Sequence, residues 1–459
     1  MLICFNIFSF RGSFLDNNRE RLGSRIGFIM LAAGCSIGCC NVWKFPWMCG
    51  QYGGGTFIFI YLLCLLLLGL PILTLEFALG RASQTSPIRM FQKIKPRNKK
   101  WGIMGYVCLA GNISLMAFYT VVSGWIISYF VKFLTGSFDR IGFGTMIADP
   151  GLNVTYLFVT VLIGFVILCF NLQSGLERVT KYMMSALLVL ILVLAVHSLT
   201  LSGAKEGMKF YLVPSISKIN GSMIVGAMNQ AFFTLSVGMG SMAIFGSYIG
   251  KDHSLMGESV NIIILDTFVA IIAGVIIFPA CFTYNLEVGA GPSLLFDTMA
   301  SVFNNMKGGR WWGTLFFLFM VFAALSTVLG VCENIVAMVR EITGFKRPVA
   351  CLLCGIVVFV LGLTTALGFS VLHFQPFSEG STWLDFWDFV VSTNILPLGS
   401  LVLVLFCCNK SGWGWDEFVA EANAGRGIKV RNWMKIIFRY FVPLAIGFVY
   451  LYGIITFNW

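Results

Sequence analysis

Charge is what this sequence has least of. Asp, Glu, Lys and Arg make up only 11% of its 459 residues, where a water-soluble domain carries about a quarter. That is too little to cover a surface facing water. Histidine is rarer still, at three residues. His197, His253 and His373 lie far apart, which leaves no histidine-rich metal cluster and no nucleophile and base pair, so an enzyme is not expected. Low-complexity tracts are absent, and the longest external connections expected, 283–310 and 369–384, are lid-sized and too short for a soluble domain. What is abundant is apolar: 58% hydrophobic, 15% aromatic, mean hydropathy +0.86. The chain reads as an all-α integral membrane protein. Its fourteen cysteines fall mostly inside apolar runs (Cys64, Cys108, Cys169, Cys354) and read as reduced, small core residues.

A helix needs about 20 apolar residues to cross the hydrocarbon, and eleven intervals lack Lys, Arg, Asp and Glu: 26–43, 45–75, 101–131, 150–176, 182–204, 219–250, 267–286, 311–332, 348–378, 389–409 and 440–459. Only Lys44 separates the first two, so helix 1 should run to about residue 50 and helix 2 should begin after Gly53-Gly54-Gly55. Eleven transmembrane helices follow. Of the 31 Lys and Arg, 23 fall in loops on one side, 7 on the other, and Lys44 lies within the membrane. Confinement of the excess to alternate loops speaks for topology and against nucleic-acid binding, and it places the N-terminus in the cytoplasm and the C-terminus outside the plasma membrane. The opening MLICFNIFSF lacks a basic n-region and an evident cleavage site, so it is not read as a signal peptide.

Two helices are not uniformly apolar. Helix 1 carries Gly34-Cys35-Ser36-Ile37-Gly38-Cys39-Cys40-Asn41 at mid-span, and helix 6 carries Thr234-Leu235-Ser236-Val237-Gly238-Met239-Gly240. Isolated glycines are more often close-packing points, but these stretches also bring hydroxyls and an amide to membrane depth, five helices apart. Five is odd, so helices 6–10 would repeat helices 1–5 upside down, and interrupted helices at matching positions point to a transporter site. Unwound backbone is tolerated there only around a cavity. Freed carbonyls and hydroxyls are hard oxygen ligands that suit an alkali cation, while half-helix N-termini suit an anion.

These residues resemble a known family. Arg25-Ile26-Gly27, the run Ala32 to Pro46 and Gly53-Gly54-Gly55 are similar to the first-helix signature of the neurotransmitter:sodium symporters. The similarity continues through Gly69, Pro71, Glu76, Gly80-Arg81, Tyr119, Gln230 to Gly240, Asp266, Ala323 to Thr327 and Asp385-Phe386-Trp387, covering nearly the whole chain. The eleven-helix count resembles the bacterial, LeuT-like amino-acid transporters. The resemblance implies a LeuT-type 5+5 inverted repeat with helices 1 and 6 broken: a cytoplasmic segment 1–24, repeats over 25–204 and 205–409, and 410–459 as a cytoplasmic loop plus the last helix.

It also implies roles. Two sodium ions are expected, the first held by Ser36, Asn41, Thr234 and Asp266, the second by Gly34, Ile37, Ala323, Ser326 and Thr327. An amino acid would bind between the breaks beside Ser36, its carboxylate at Tyr119 and Gly38, its amine near Phe233, Thr234 and Ser236. Its side chain would meet Leu115, Cys39, Phe233, Met239, Thr327 and Val331, with Cys40 narrowing the pocket where glycine is usual. Gly38 stands where monoamine carriers have Asp and so fits an amino acid. Lys44 and Asp385 would form the external gate over a Phe233 lid, and Arg19 and Glu341 the cytoplasmic gate, supported by Tyr248. Leu22 replaces a cytoplasmic Trp, and Ser185 replaces a helix-breaking Pro in helix 5. Asp266 would stand in for chloride, so no chloride requirement is expected. The function implied is sodium-coupled import of neutral, hydrophobic or aromatic amino acids. The alternatives on the same scaffold are an amino-acid-sensing receptor, for which no signalling domain is visible, and an ion channel, which would need a continuous polar pore. The oligomeric state is not legible.

Overall fold

The computed structural model describes residues 22–137, 142–214, 219–288 and 292–456. Among them there is helix and no strand, apart from one isolated bridge between His253 and Arg426. Nine helices are long and apolar enough to cross a bilayer: α2 (Gly55–Ser83), α3 (Lys99–Thr135), α4 (Pro150–Cys169), α5 (Gln173–Leu199), α7 (Leu255–Tyr284), α8 (Gly309–Thr343), α9 (Arg347–Leu367), α10 (Trp383–Cys408) and α11 (Met434–Ile455). A tenth span is a pair, α1a (Arg25–Ser36) and α1b (Cys39–Gln51), bent by 65° at its break. The expected count of eleven is reached only by joining α6a (Gly221–Thr234) and α6b (Ser241–Gly246) across residues 235–240.

Several spans differ from the charge-free intervals, for one reason. The α7 helix begins at Leu255, twelve residues before the interval, because Glu258 and Asp266 are satisfied inside it: Glu258 pairs with Arg25 at 2.8 Å, and Asp266 accepts from Asn41 at 2.9 Å. Glu76 and Arg81 lie inside α2, and Asp385 and Asp388 inside α10. The interval 150–176 instead straddles two helices, α4 ending at Cys169 and α5 starting with a wide turn at Gln173–Glu177. A buried charge with partners is compatible with a helix, and an interval rule cannot see the partners.

The α1a and α6b helices sit against α8, and α3 reaches both breaks through Tyr119 and Asn112; α3 and α8 are the best covered spans, with 83% of their apolar windows buried. The α2 and α6b helices approach so closely that a Cβ on Gly80 would stand 1.8 Å from the Ala243 carbonyl oxygen. Only glycine permits that contact. Glu333 of α8 is buried with Arg347 of α9, which also donates through Nε to the Leu168 carbonyl of α4 at 2.7 Å. Removing one partner would strand a charge.

Because no flexible side chain stands between α2 and the Ala243 carbonyl, Gly80→Val must push the helices apart. It is expected to cost about 1–3 kcal/mol, read as a lower midpoint of thermal unfolding in detergent. An unchanged midpoint would contradict the close packing.

Candidate ion and substrate site

The first break is short. The α1a helix stops at Ser36, Ile37 and Gly38 turn to extended conformations (ψ 90° and −171°), and α1b restarts at Cys39. The second is longer, running from Leu235 to Gly240, with Ser236 in the left-handed region at φ 50°, which is uncommon for a residue with a side chain. This conformation is held from two neighbouring helices. Buried Glu76 of α2 accepts from the Gly238 amide and, at 3.1 Å, from the Met242 amide. Asn112 of α3 donates to the Met239 carbonyl at 2.9 Å and accepts from the Ser241 hydroxyl at 2.9 Å.

Between the breaks lies a cluster of polar side chains with no measurable exposure: Asn41, Thr234 and Asp266. The Asn41 amide donates to one oxygen of Asp266 at 2.9 Å and to the Thr234 hydroxyl at 3.1 Å, and that hydroxyl donates to the other Asp266 oxygen at 2.9 Å. Among the described residues no Lys or Arg pairs with Asp266. A carboxylate desolvated in this way calls for a cation, and the oxygen donors fit a hard one. Ser36 is not drawn into the cluster. Its hydroxyl donates to the Ala32 carbonyl of its own helix at 3.2 Å.

A second set of oxygens converges on Thr327 of α8. Its hydroxyl lies 3.3 Å from the Gly34 carbonyl, 3.5 Å from that of Ile37 and 3.3 Å from that of Ala323, while Ser326 donates to Ala323 at 3.0 Å. One hydroxyl proton cannot serve three carbonyls. The surplus of acceptors is the arrangement a small cation would satisfy.

Beside both clusters is a cavity lined by Cys35, Ser36, Gly38, Cys40, Leu115, Tyr119, Phe233, Ser236, Met239, Thr327, Val391 and Leu396. Nine of these belong to the expected substrate site. Three expected residues do not line it: Thr234 turns to Asp266, Val331 is buried in packing, and Cys39 faces the Tyr119 hydroxyl, which accepts from the Cys39 amide at 3.0 Å. Cys35, Val391 and Leu396 are additions that nothing in their residue type announces, and Asn112, which holds the second break, was also missed, although an amide at membrane depth is a signal that could have found it. A Cβ on Gly38 would lie 2.6 Å from the Tyr119 hydroxyl, so a longer acidic side chain has no room there.

The structure does not bring all of the expected gate residues together. Lys44 and Asp385 do not pair. The Lys44 ammonium lies over the Phe233 ring, 4.5 Å from its centre, and exposed Asp385 caps its own helix, accepting from the Thr382 amide and hydroxyl at 2.7 and 2.9 Å. At the other end the Tyr248 hydroxyl donates to Glu333 at 2.9 Å, and Glu341 accepts from the Ser86 amide and hydroxyl at 2.7 and 2.8 Å. Arg19 lies outside the described residues.

Comparison with known proteins decides what this geometry belongs to. The profile of the "Sodium:neurotransmitter symporter family" matches residues 19–142 and 139–459. The chain belongs to this family. The uncharacterized sodium-dependent transporter YhdH of Bacillus subtilis is 36% identical over 451 residues, covering 95% of this chain and 98% of its own. A sodium-dependent transporter of Haemophilus influenzae is 30% identical, with coverage of 95% and 98%. The crystal structure of MhsT in complex with L-phenylalanine superposes with a TM-score of 0.85 at 34% identity, covering 95% and 99%. The fold is thus the LeuT type, and the symporter is a sodium-dependent membrane transporter of a small molecule.

Thr327→Val keeps the shape of the side chain and removes the oxygen on which three carbonyls converge. The loss of about 1.5–3 kcal/mol for a contact to an ion should raise the half-saturating sodium concentration roughly 10- to 150-fold, measured by sodium-dependent substrate binding. Gly38→Ala should lower transport on the order of tenfold or more by displacing Tyr119, with thermal stability little changed.

Proposed function

We propose that this symporter imports neutral, hydrophobic or aromatic amino acids with two sodium ions by alternating access, without needing chloride. The observation that carries the reading is the polarity of the cavity. At one end stand the Tyr119 hydroxyl and the N-terminus of α1b, suited to a carboxylate. The Ser236 hydroxyl and the end of α6a offer oxygens to an ammonium, and Leu115, Phe233, Met239, Val391 and Leu396 provide an apolar remainder. The lack of room at Gly38 favours a substrate that brings its own carboxylate. The family relative MhsT was crystallised with L-phenylalanine, which agrees in class. The first sodium would sit at Asn41, Thr234 and Asp266 with the substrate carboxylate, the second among Gly34, Ile37, Ala323, Ser326 and Thr327. Residues 25–204 and 205–409 are read as the two inverted repeats. The basic loops belong in the cytoplasm, with the N-terminus inside and the C-terminus outside.

The test is uptake of labelled amino acids into proteoliposomes. An inward sodium gradient should drive accumulation, an inside-negative potential should add roughly 2.3 kcal/mol per charge per 100 mV, and choline in place of sodium should abolish it. Uptake that persists in choline overturns sodium coupling. Leucine, methionine and phenylalanine should compete; displacement by glycine and alanine alone would overturn the apolar pocket.

Chloride independence rests on Asp266, the fixed negative charge beside the first ion. Replacing chloride by gluconate should leave uptake intact. Asp266→Asn should weaken sodium coupling and make the residual transport chloride-sensitive. Strong chloride dependence in the unmodified protein would contradict the role given to Asp266.

A further inference from the structure

The connection between α10 and α11 is built, not slack. Its short helix Trp415–Ala422 packs against α2. The following segment is closed on itself by Asn423, whose side chain accepts from the Val430 amide at 2.7 Å and donates to the Val430 carbonyl at 2.9 Å. This ring is tied to the α6b–α7 connection: the Arg426 amide donates to Asp252 and the Ser254 amide to Arg426, both at 2.9 Å, and the Ser254 hydroxyl donates to Ile428 at 2.7 Å. Beneath it, buried Arg81 of α2 donates to the Glu421 carboxylate at 2.7 Å and to the His253 carbonyl at 2.8 Å, and Lys251 holds the other Glu421 oxygen at 2.9 Å. The segment is therefore clasped in one place at the end of the bundle.

What it presents there is one-sided. After Glu421 the remaining sequence to Trp459 has no Asp or Glu, but Arg426, Lys429, Arg431, Lys435 and Arg439. Among the described residues none of these five pairs with a carboxylate, and all but partly covered Lys435 are exposed. Interleaved with them are Ile428, Trp433, Ile436 and Tyr440, each more than half exposed. The run leads directly into α11, whose apolar window is only 22% buried by protein, so lipid is its other neighbour. The start of α3 approaches the same end of α10, Trp101 meeting the Phe406 ring at 5.1 Å.

Orientation in the membrane needs only positive charge. Exposed Trp and Ile set between cations that pair with no carboxylate, on a fixed loop and the first turns of α11, are what a headgroup surface adds, because Trp and Tyr seat at the interface and juxtamembrane cations attract anionic lipid. We propose that residues 426–440 are a docking surface for anionic phospholipid headgroups of the adjoining leaflet, held in register by the Arg81–Glu421 clasp.

The experiment uses the full chain in vesicles containing either brominated phosphatidylglycerol or brominated phosphatidylcholine. The Trp433 contribution is taken as the fluorescence difference between the protein and Trp433→Phe. Phosphatidylglycerol should quench it at least twofold more strongly. High salt should reduce the preference, and K429Q/R431Q/K435Q should abolish it while quenching by phosphatidylcholine persists, because the segment stays seated at the bilayer. The single variant Lys429→Gln should remove part of the preference, which keeps the test decisive if the triple variant folds poorly. Equal quenching by the two lipids, or a preference untouched by removing the charges, overturns the proposal.

Discussion

A carboxylate buried among apolar helices is the constraint on which the rest of this structure depends. Asp266 has no exposure and no cationic side chain beside it among the described residues, and an isolated ion in such surroundings is expensive. The protein answers with Asn41 and Thr234, which reach Asp266 from α1b and from the end of α6a. Three spans are thereby pinned together at one depth, where two of them are broken. The same demand that makes the site costly when empty of cations makes it receptive to one.

The breaks hold because neighbours supply what the missing helical turns no longer do. Glu76 takes amides at the start of α6b, Asn112 takes the Met239 carbonyl, and the Tyr119 hydroxyl takes the Cys39 amide. Unwound backbone at this depth needs such partners or a cavity. Here it has both, and the carbonyls left over, those of Gly34 and Ile37, converge with that of Ala323 in α8 on Thr327. The cavity and the two oxygen clusters thus border the interruptions, which is why a change in α2 or α3 should be felt there.

Charge at the two ends is used differently. On the side of Lys44 the ammonium rests on an aromatic ring and the expected carboxylate partner is engaged in capping α10. Lys presents a compact point charge and lacks the planar fork with which Arg grips a carboxylate. On the basic side, charges are locked into pairs, Arg81 with Glu421 and Arg347 with Glu333, while Arg426, Lys429, Arg431 and Arg439 are exposed.

The sequence by itself determined that this is a helical membrane protein and where its two broken helices lie. Those properties are local: a run of apolar residues and a small-residue stretch carrying hydroxyls read directly along the chain, whereas the residues expected around the cavity followed from the resemblance to the symporter family and not from any local pattern. Only the tertiary structure decided that Asp385 serves its own helix, that Tyr248 turns to Glu333, that Val391 and Leu396 join the cavity and that Thr234 leaves it for Asp266. It also decided where α7 begins, because Glu258 and Asp266 find their partners on other helices. The physical reason is the same throughout: which of several possible hydrogen-bond partners a polar side chain takes depends on distances between segments far apart in the chain, and no pattern along the chain encodes those distances.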